Sequence, residues 1–146
     1  MYRPKVGTQR PDDLKRGELF ADRRTLSKAL GGTPFRGISY NAKDDFVVVV
    51  SGASGASGHN YKDHWLDGGQ ERYLYFGEWN GCGDMGLRGG NLALRDRSPR
   101  LFLFVEDSGA YVYEGRFKYV SHKTADVVRP KCGHRHNAIV FTLNRA

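Results

Sequence analysis

"YLYFGEWNGCGDM", residues 73–85, begins as a β-strand and ends as something else. Tyr73, Leu74, Tyr75 and Phe76 have the aromatic and branched character that suits a pleated surface. Gly77, Gly81 and Gly83 then follow, with Glu78, Trp79 and Asp84 crowded among them. A plain hairpin turn needs only two permissive residues. The surplus of glycine predicts a strand end where the backbone closes on a ligand.

The sequence on either side predicts a mainly β domain. Upstream, "DFVVVV" (Asp45 to Val50) is an apolar run of strand length, as in a strand buried on both faces, and "RGISY" is a shorter strand before it. Downstream, "RLFLFVE", the turn "DSG" and "AYVYEGRFKYV" predict a hairpin over Arg100 to Val120, and "NAIVFTL" (Asn137 to Leu143) a final strand. Two short helices are expected. One lies in "GELFADRRTLSKALGG", where Leu26, Ala29 and Leu30 share a face and Gly31-Gly32 stop the helix. The other lies in "GGNLALRDR", capped by Asn91. Six or so strands and two helices make an α+β fold, mainly β: a curved sheet or partly closed β-barrel. Residues 1–16 read as an extended lead-in and residues 17–146 as one domain.

Composition bounds the function. A chain of 146 residues with 39 % apolar and 12 % aromatic residues builds one core without disulfides or metal. No stretch approaches the roughly 20 apolar residues of a membrane span. The N-terminus shows no apolar core of a signal peptide, and Cys82 and Cys132 are too few for a disulfide scaffold, so a reducing cytoplasm is the expectation. Twenty-three Lys and Arg against sixteen Asp and Glu give a formal charge of +7, which favours a polyanionic partner.

Catalytic and metal motifs are weak. Cys132, His134 and His136 are possible zinc ligands by type, but structural sites need a fourth ligand and wider spacing, so a polar turn is the better reading and no metal is expected. "GASGASG" lacks the Lys-Ser/Thr ending of a phosphate loop, and no nucleophile elbow is present. Asp63, Glu78 and Asp84 suit acid–base work, magnesium, or acceptance of a hydrogen bond from a ligand amine. Tyr61, Trp65, Tyr75, Phe76 and Trp79 flank two loops that bracket one strand, although Trp65 and Phe76 serve a core equally well. Two aromatic faces and a carboxylate are what holds a nucleobase out of its stack.

The ordered set "YKDHW…YFGEWNGCGDM…GGNLAL" resembles the SRA (SET and RING associated) domain, the reader of modified cytosine, and most of all its version in McrA-type HNH modification-dependent restriction endonucleases. The matching positions are Tyr61, Asp63 and Trp65; Tyr75, Gly77 and Glu78; Gly83, Asp84 and Met85; and Gly90, Asn91 and Ala93. The resemblance implies an SRA/PUA-like fold that flips 5-methylcytosine or 5-hydroxymethylcytosine into a pocket. Tyr61 and Tyr75 would stack on the base, and Asp63, or His64 beside it, would accept from its amine. Arg36, Lys62, Arg88, Asn91 and Arg95 would meet the DNA backbone. The chain departs from the pattern at Phe76, where Thr is usual, and at Trp79, where Gly is usual; both add bulk at the pocket rim.

The implied partner is double-stranded DNA with a modified cytosine, read without a cofactor and without catalysis. A fused or partner HNH nuclease domain would do the cutting. Tyr75→Ala is then expected to weaken binding by about 1–3 kcal/mol in a protein that stays folded. Two other readings stand beside this one: a PUA-like reader of methylated RNA, and a small metal-dependent hydrolase acting on nucleotides.

Overall fold

The computed structural model describes residues 5–6, 9–32, 37–42, 44–52, 63–77, 84–96, 100–129 and 134–146. Among these, strands are β1 (Lys5–Val6), β2 (Leu19–Phe20), β3 (Gly31–Gly32), β4 (Ile38–Asn41), β5 (Phe46–Ser51), β6 (His64–Trp65), β7 (Arg72–Phe76), β8 (Leu101–Asp107), β9 (Ala110–Arg129) and β10 (His134–Arg145). The helices are α1 (Arg23–Leu30) and α2 (Gly89–Asp96). The six longer strands are the six expected from sequence. The other four are two-residue pairings that alternation cannot reveal.

The apolar run of β5 explains the layering. Phe46, Val48 and Val50 point into one core, while Val47 and Val49 point into another. β8 lies parallel to β5 and splits the same way, with Phe102 and Phe104 on one side and Leu101 and Leu103 on the other. A parallel pair buried on both faces needs apolar residues at every position, and this pair has them. The first core is covered by α1 through Leu26, Ala29 and Leu30. That helix is capped by Asp22, which accepts from the Thr25 amide at 2.7 Å, and ends at Gly31, whose φ of 84° favours glycine.

The second core lies inside the curve of the main sheet, whose order is β4-β5-β8-β9-β10-β7-β6, with β2 added on β9. Three strands separate β5 from β7 in that order, yet the Ser51 and Tyr73 hydroxyls meet at 2.6 Å. The sheet therefore curls until its two wings touch. Leu94 of α2 and Met85 fill the enclosed space beside Ile38, Phe117 and Phe141. At the other end of β7 and β10, the Arg145 guanidinium stacks 4.7 Å from the Phe117 ring and donates to the carbonyls of Gln70 and Glu114.

The β8–β9 turn has Ser108 and Gly109 at φ 53° and 88°, the twist-matched two-residue turn. β9 runs on to Arg129, beyond its expected end at Val120, and β10 starts at His134 rather than Asn137. Lys123, Thr124 and Asp126 hid this extension, since polar residues suit a strand pair that faces water. Val120 itself is a bulge: Tyr119 pairs with Leu143 and Ser121 with Thr142, so Val120 has no partner opposite. The described part of the lead-in is docked, with the Gln9 amide on the Ala29 carbonyl at 2.7 Å and Asp12 paired to Arg100.

Candidate functional site

One carboxylate ties the two wings together. Asp63, just ahead of β6, accepts from the Phe76 amide at 2.8 Å through Oδ1 and from the Ser51 hydroxyl at 2.5 Å through Oδ2. An ionised carboxylate only accepts, so the Ser51 proton points at Asp63 and the Tyr73 hydroxyl donates to Ser51. Burial pushes the Asp63 carboxyl up to about 6, against the opposing pull of the Ser51 and Phe76 hydrogen bonds and of nearby His64. Burial also raises the Tyr73 hydroxyl above its ordinary range. Close by, the would-be Cβ of Gly37 points straight at the Tyr75 hydroxyl, and the Gly37 carbonyl accepts from the Val50 amide at 2.7 Å. Residues 33–36, 53–62 and 78–83 are bordered by the described pairs Gly32 and Gly37, Gly52 and Asp63, and Gly77 and Asp84.

The opening motif is anchored to β10. The Gly77 amide donates to the Ile139 carbonyl and the Met85 amide to the Asn137 carbonyl, both at 2.8 Å. Asp84 returns the bond by accepting from the Asn137 amide at 2.7 Å. Gly77 on one side and Asp84 and Met85 on the other are thus held to β10 at Ile139 and Asn137, two residues apart. Behind this anchor sits Asn91, whose amide donates to the Gly86 carbonyl at 3.0 Å. A Cβ on Gly77 would lie 2.6 Å from Asn91 Oδ1 and 2.9 Å from Met85 Sδ. Gly77→Ala is therefore expected to cost about 1–3 kcal/mol of stability, read as a lower denaturation midpoint with unchanged slope. The glycine serves close packing here.

Several expected site residues take other roles. Asn91 is 1 % exposed and lies within the first turn of α2, so it braces the motif from inside; it neither caps the helix nor reaches a phosphate. Trp65 packs edge-on to Tyr73 at 4.8 Å and beside Phe117 at 5.8 Å, half-buried against the inner core. Asp84 is committed to the β10 backbone. Tyr75 is 3 % exposed within the inner core, and Phe76, one residue on, is half-buried and packs against that core. His64 and Arg88 are exposed, and Arg95 pairs with Asp96 at 2.8 Å. Arg36, Tyr61, Lys62, Glu78 and Trp79 lie outside the described residues, as do Cys82 and Cys132. His136, expected in a polar turn, is instead buried within β10. Among the described residues no three His, Cys, Asp or Glu side chains cluster as metal ligands would.

Sequence reasoning missed Ser51 and Tyr73. The signal for Ser51 was a hydroxyl closing an otherwise apolar strand that is buried along its whole length.

A curled, mainly β sheet with one helix packed on its outer face and one helix closing its inner core is the fold shared with SRA domains of known structure. The chain belongs to the ScoMcrA-like SRA domain family, whose model matches residues 16 to 145. Comparison with curated proteins finds no match. Among solved structures, the SRA domain of SUVH5 in complex with methylated CHH DNA is 22 % identical, covers 97 % of this chain and 94 % of that one, and superposes with a TM-score of 0.69. The type IV phosphorothioation-dependent restriction endonuclease ScoMcrA is 21 % identical over 92 % of this chain but only 27 % of its own, with a TM-score of 0.73. The modification-dependent TagI restriction endonuclease is 22 % identical, covers 100 % of this chain and 54 % of that one, and gives 0.65. At these identities the likeness is one of fold.

Proposed function

We propose that this chain is a DNA reader, itself non-catalytic, that binds double-stranded DNA carrying 5-methylcytosine or 5-hydroxymethylcytosine and takes that base out of the stack beside Asp63 and Tyr75. It serves as the recognition part of a modification-dependent restriction system whose cutting domain is separate. The observation that carries this reading is the Asp63 carboxylate, fixed by two donors in a desolvated setting. Each of its oxygens accepts about two hydrogen bonds, so each keeps capacity for a ligand donor. A cytosine amine is such a donor. A phosphorothioate, being anionic, is repelled by the same group, which favours a base over a modified backbone as the ligand at this point.

The test is a binding panel: one duplex with cytosine, 5-methylcytosine, 5-hydroxymethylcytosine or glucosylated cytosine at a single position, and one with a phosphorothioate linkage. A methyl or hydroxymethyl duplex is expected to bind roughly five- to 150-fold more tightly than the unmodified one. A 2-aminopurine beside the modified base should brighten on binding as the base leaves the stack. Equal affinity for all cytosines with preference for phosphorothioate would move recognition to the backbone, and preference for an RNA competitor would mark an RNA reader. The basic surface adds a second expectation: log K should fall linearly with log salt, with a slope of about −0.9 per phosphate neutralised. Salt-insensitive binding would argue for a small-molecule or protein ligand.

A further inference from the structure

We propose that Ser51 and Tyr73 are positioning residues of the recognition site, their hydroxyls forming a relay that fixes the Asp63 carboxylate where it can read a base amine. The proposal rests on the reading of Asp63 given above. Its evidence lies in how costly the arrangement is. Ser51 is 0 % exposed at the end of a strand whose other five residues are apolar, where a valine would bury more surface. A hydroxyl there is tolerated only with partners, and it has two, Asp63 Oδ2 and the Tyr73 hydroxyl. Tyr73 sits in the inner core on the opposite wing, where a phenylalanine would need no partner.

The relay has one direction. Tyr73 donates to Ser51, which donates to Asp63, and the Phe76 amide holds the other oxygen. Linked donors polarise one another, so removing either hydroxyl weakens the bond on the carboxylate. The carboxyl plane is thereby set by β5 and β7 together, even though Asp63 belongs to neither. Among the described residues the titratable group acting on this carboxyl is His64, while Asp63 itself and Glu114 act on the Tyr73 hydroxyl.

Ser51→Ala, Ser51→Thr and Tyr73→Phe separate positioning from bulk packing. Two quantities are read: the midpoint of the Asp63 side-chain carbon NMR titration in free protein, and the ratio of modified to unmodified duplex affinity. In Ser51→Ala the midpoint should rise from about 6 towards neutrality, because a bond that favours the charged form is lost. The affinity ratio at pH 7.5 should fall about five- to tenfold, with binding to unmodified duplex unchanged. Ser51→Thr restores the hydroxyl on a strand-compatible residue and should return both values to within about twofold and a few tenths of a pH unit of wild type. Tyr73→Phe should move both in the same direction as Ser51→Ala, but less. Should Ser51→Ala disturb folding, Tyr73→Phe and the threonine rescue decide the matter. An unmoved Asp63 midpoint in folded Ser51→Ala and Tyr73→Phe overturns the relay. If wild type proves unable to tell modified from unmodified DNA, the proposed function fails on the panel, while the NMR midpoint still tests the relay alone.

Discussion

Tyr75→Ala is expected to destabilise the protein by about 3–5 kcal/mol, the largest effect of any substitution at the site. Tyr75 lies in the middle of the inner core with Ile38, Val47, Val49, Leu103 and Phe141, and only 3 % of its surface is exposed. Truncation leaves a cavity that the strands of a paired sheet cannot collapse to fill. The sequence alone led to a different expectation, a folded variant with weaker binding. The two outcomes are separable by chemical denaturation beside a binding measurement. A loss of affinity in Tyr75→Ala carries no information about a pocket unless the variant is still folded at the assay temperature. Tyr75→Phe is the informative change. It keeps the ring and removes the hydroxyl that faces Gly37, so its stability should fall by only about 1 kcal/mol. A stacking wall survives that substitution, and the modified-to-unmodified ratio should survive with it. A Tyr75→Ala variant as stable as wild type would show that the core closes without this ring.

The contrast between Tyr75 and Asp63 shows what a sequence of this kind discloses. The layering was legible: "FVVVVS" has no polar face, so it had to be covered on both sides, and α1 carries the stripe that covers one of them. The hairpin was legible at its turn, where Asp107-Ser108-Gly109 supplies the required positive φ values. Its length was not, because Thr124 and Asp126 on a solvated pair of strands look like loop residues. The relay was out of reach for a geometric reason. Ser51 meets Asp63 and Tyr73 only because the sheet curls through three intervening strands, and no local pattern encodes that closure. Asn91 was misread for a related reason. Asparagine after two glycines looks like a helix cap until Gly77, just beyond the end of β7, is found pressed against its side chain.

Asp63→Asn is expected to make the protein more stable near neutral pH and less able to recognise its ligand. The folded-state carboxyl titrates near 6, above its ordinary value of 3.8, because burial disfavours the charge. A carboxyl raised in this way contributes stability that is fully present below about pH 4 and is lost as pH rises through 6. At pH 7.5 the ionised group therefore costs roughly 2–3 kcal/mol relative to an unburied one, an upper figure because the residue is only part-buried. Asparagine removes the charge but not the bonding. Its carbonyl accepts from the Phe76 amide, and its amide donates to the Ser51 hydroxyl, reversing the relay. Asp63→Asn should thus exceed wild type by about 1–2 kcal/mol at pH 7.5, with the difference closing as pH falls from 7 to 4.5. Reading the difference between the two proteins cancels every other titrating group. Recognition should move the other way, since a donor now faces the amine of the base. The modified-to-unmodified ratio should drop about tenfold or more at pH 7.5, and wild type should lose the same selectivity as its own carboxylate is protonated below 6. A variant that keeps its selectivity, or one whose stability relative to wild type does not change with pH, would remove Asp63 from the centre of the site and return it to the scaffold.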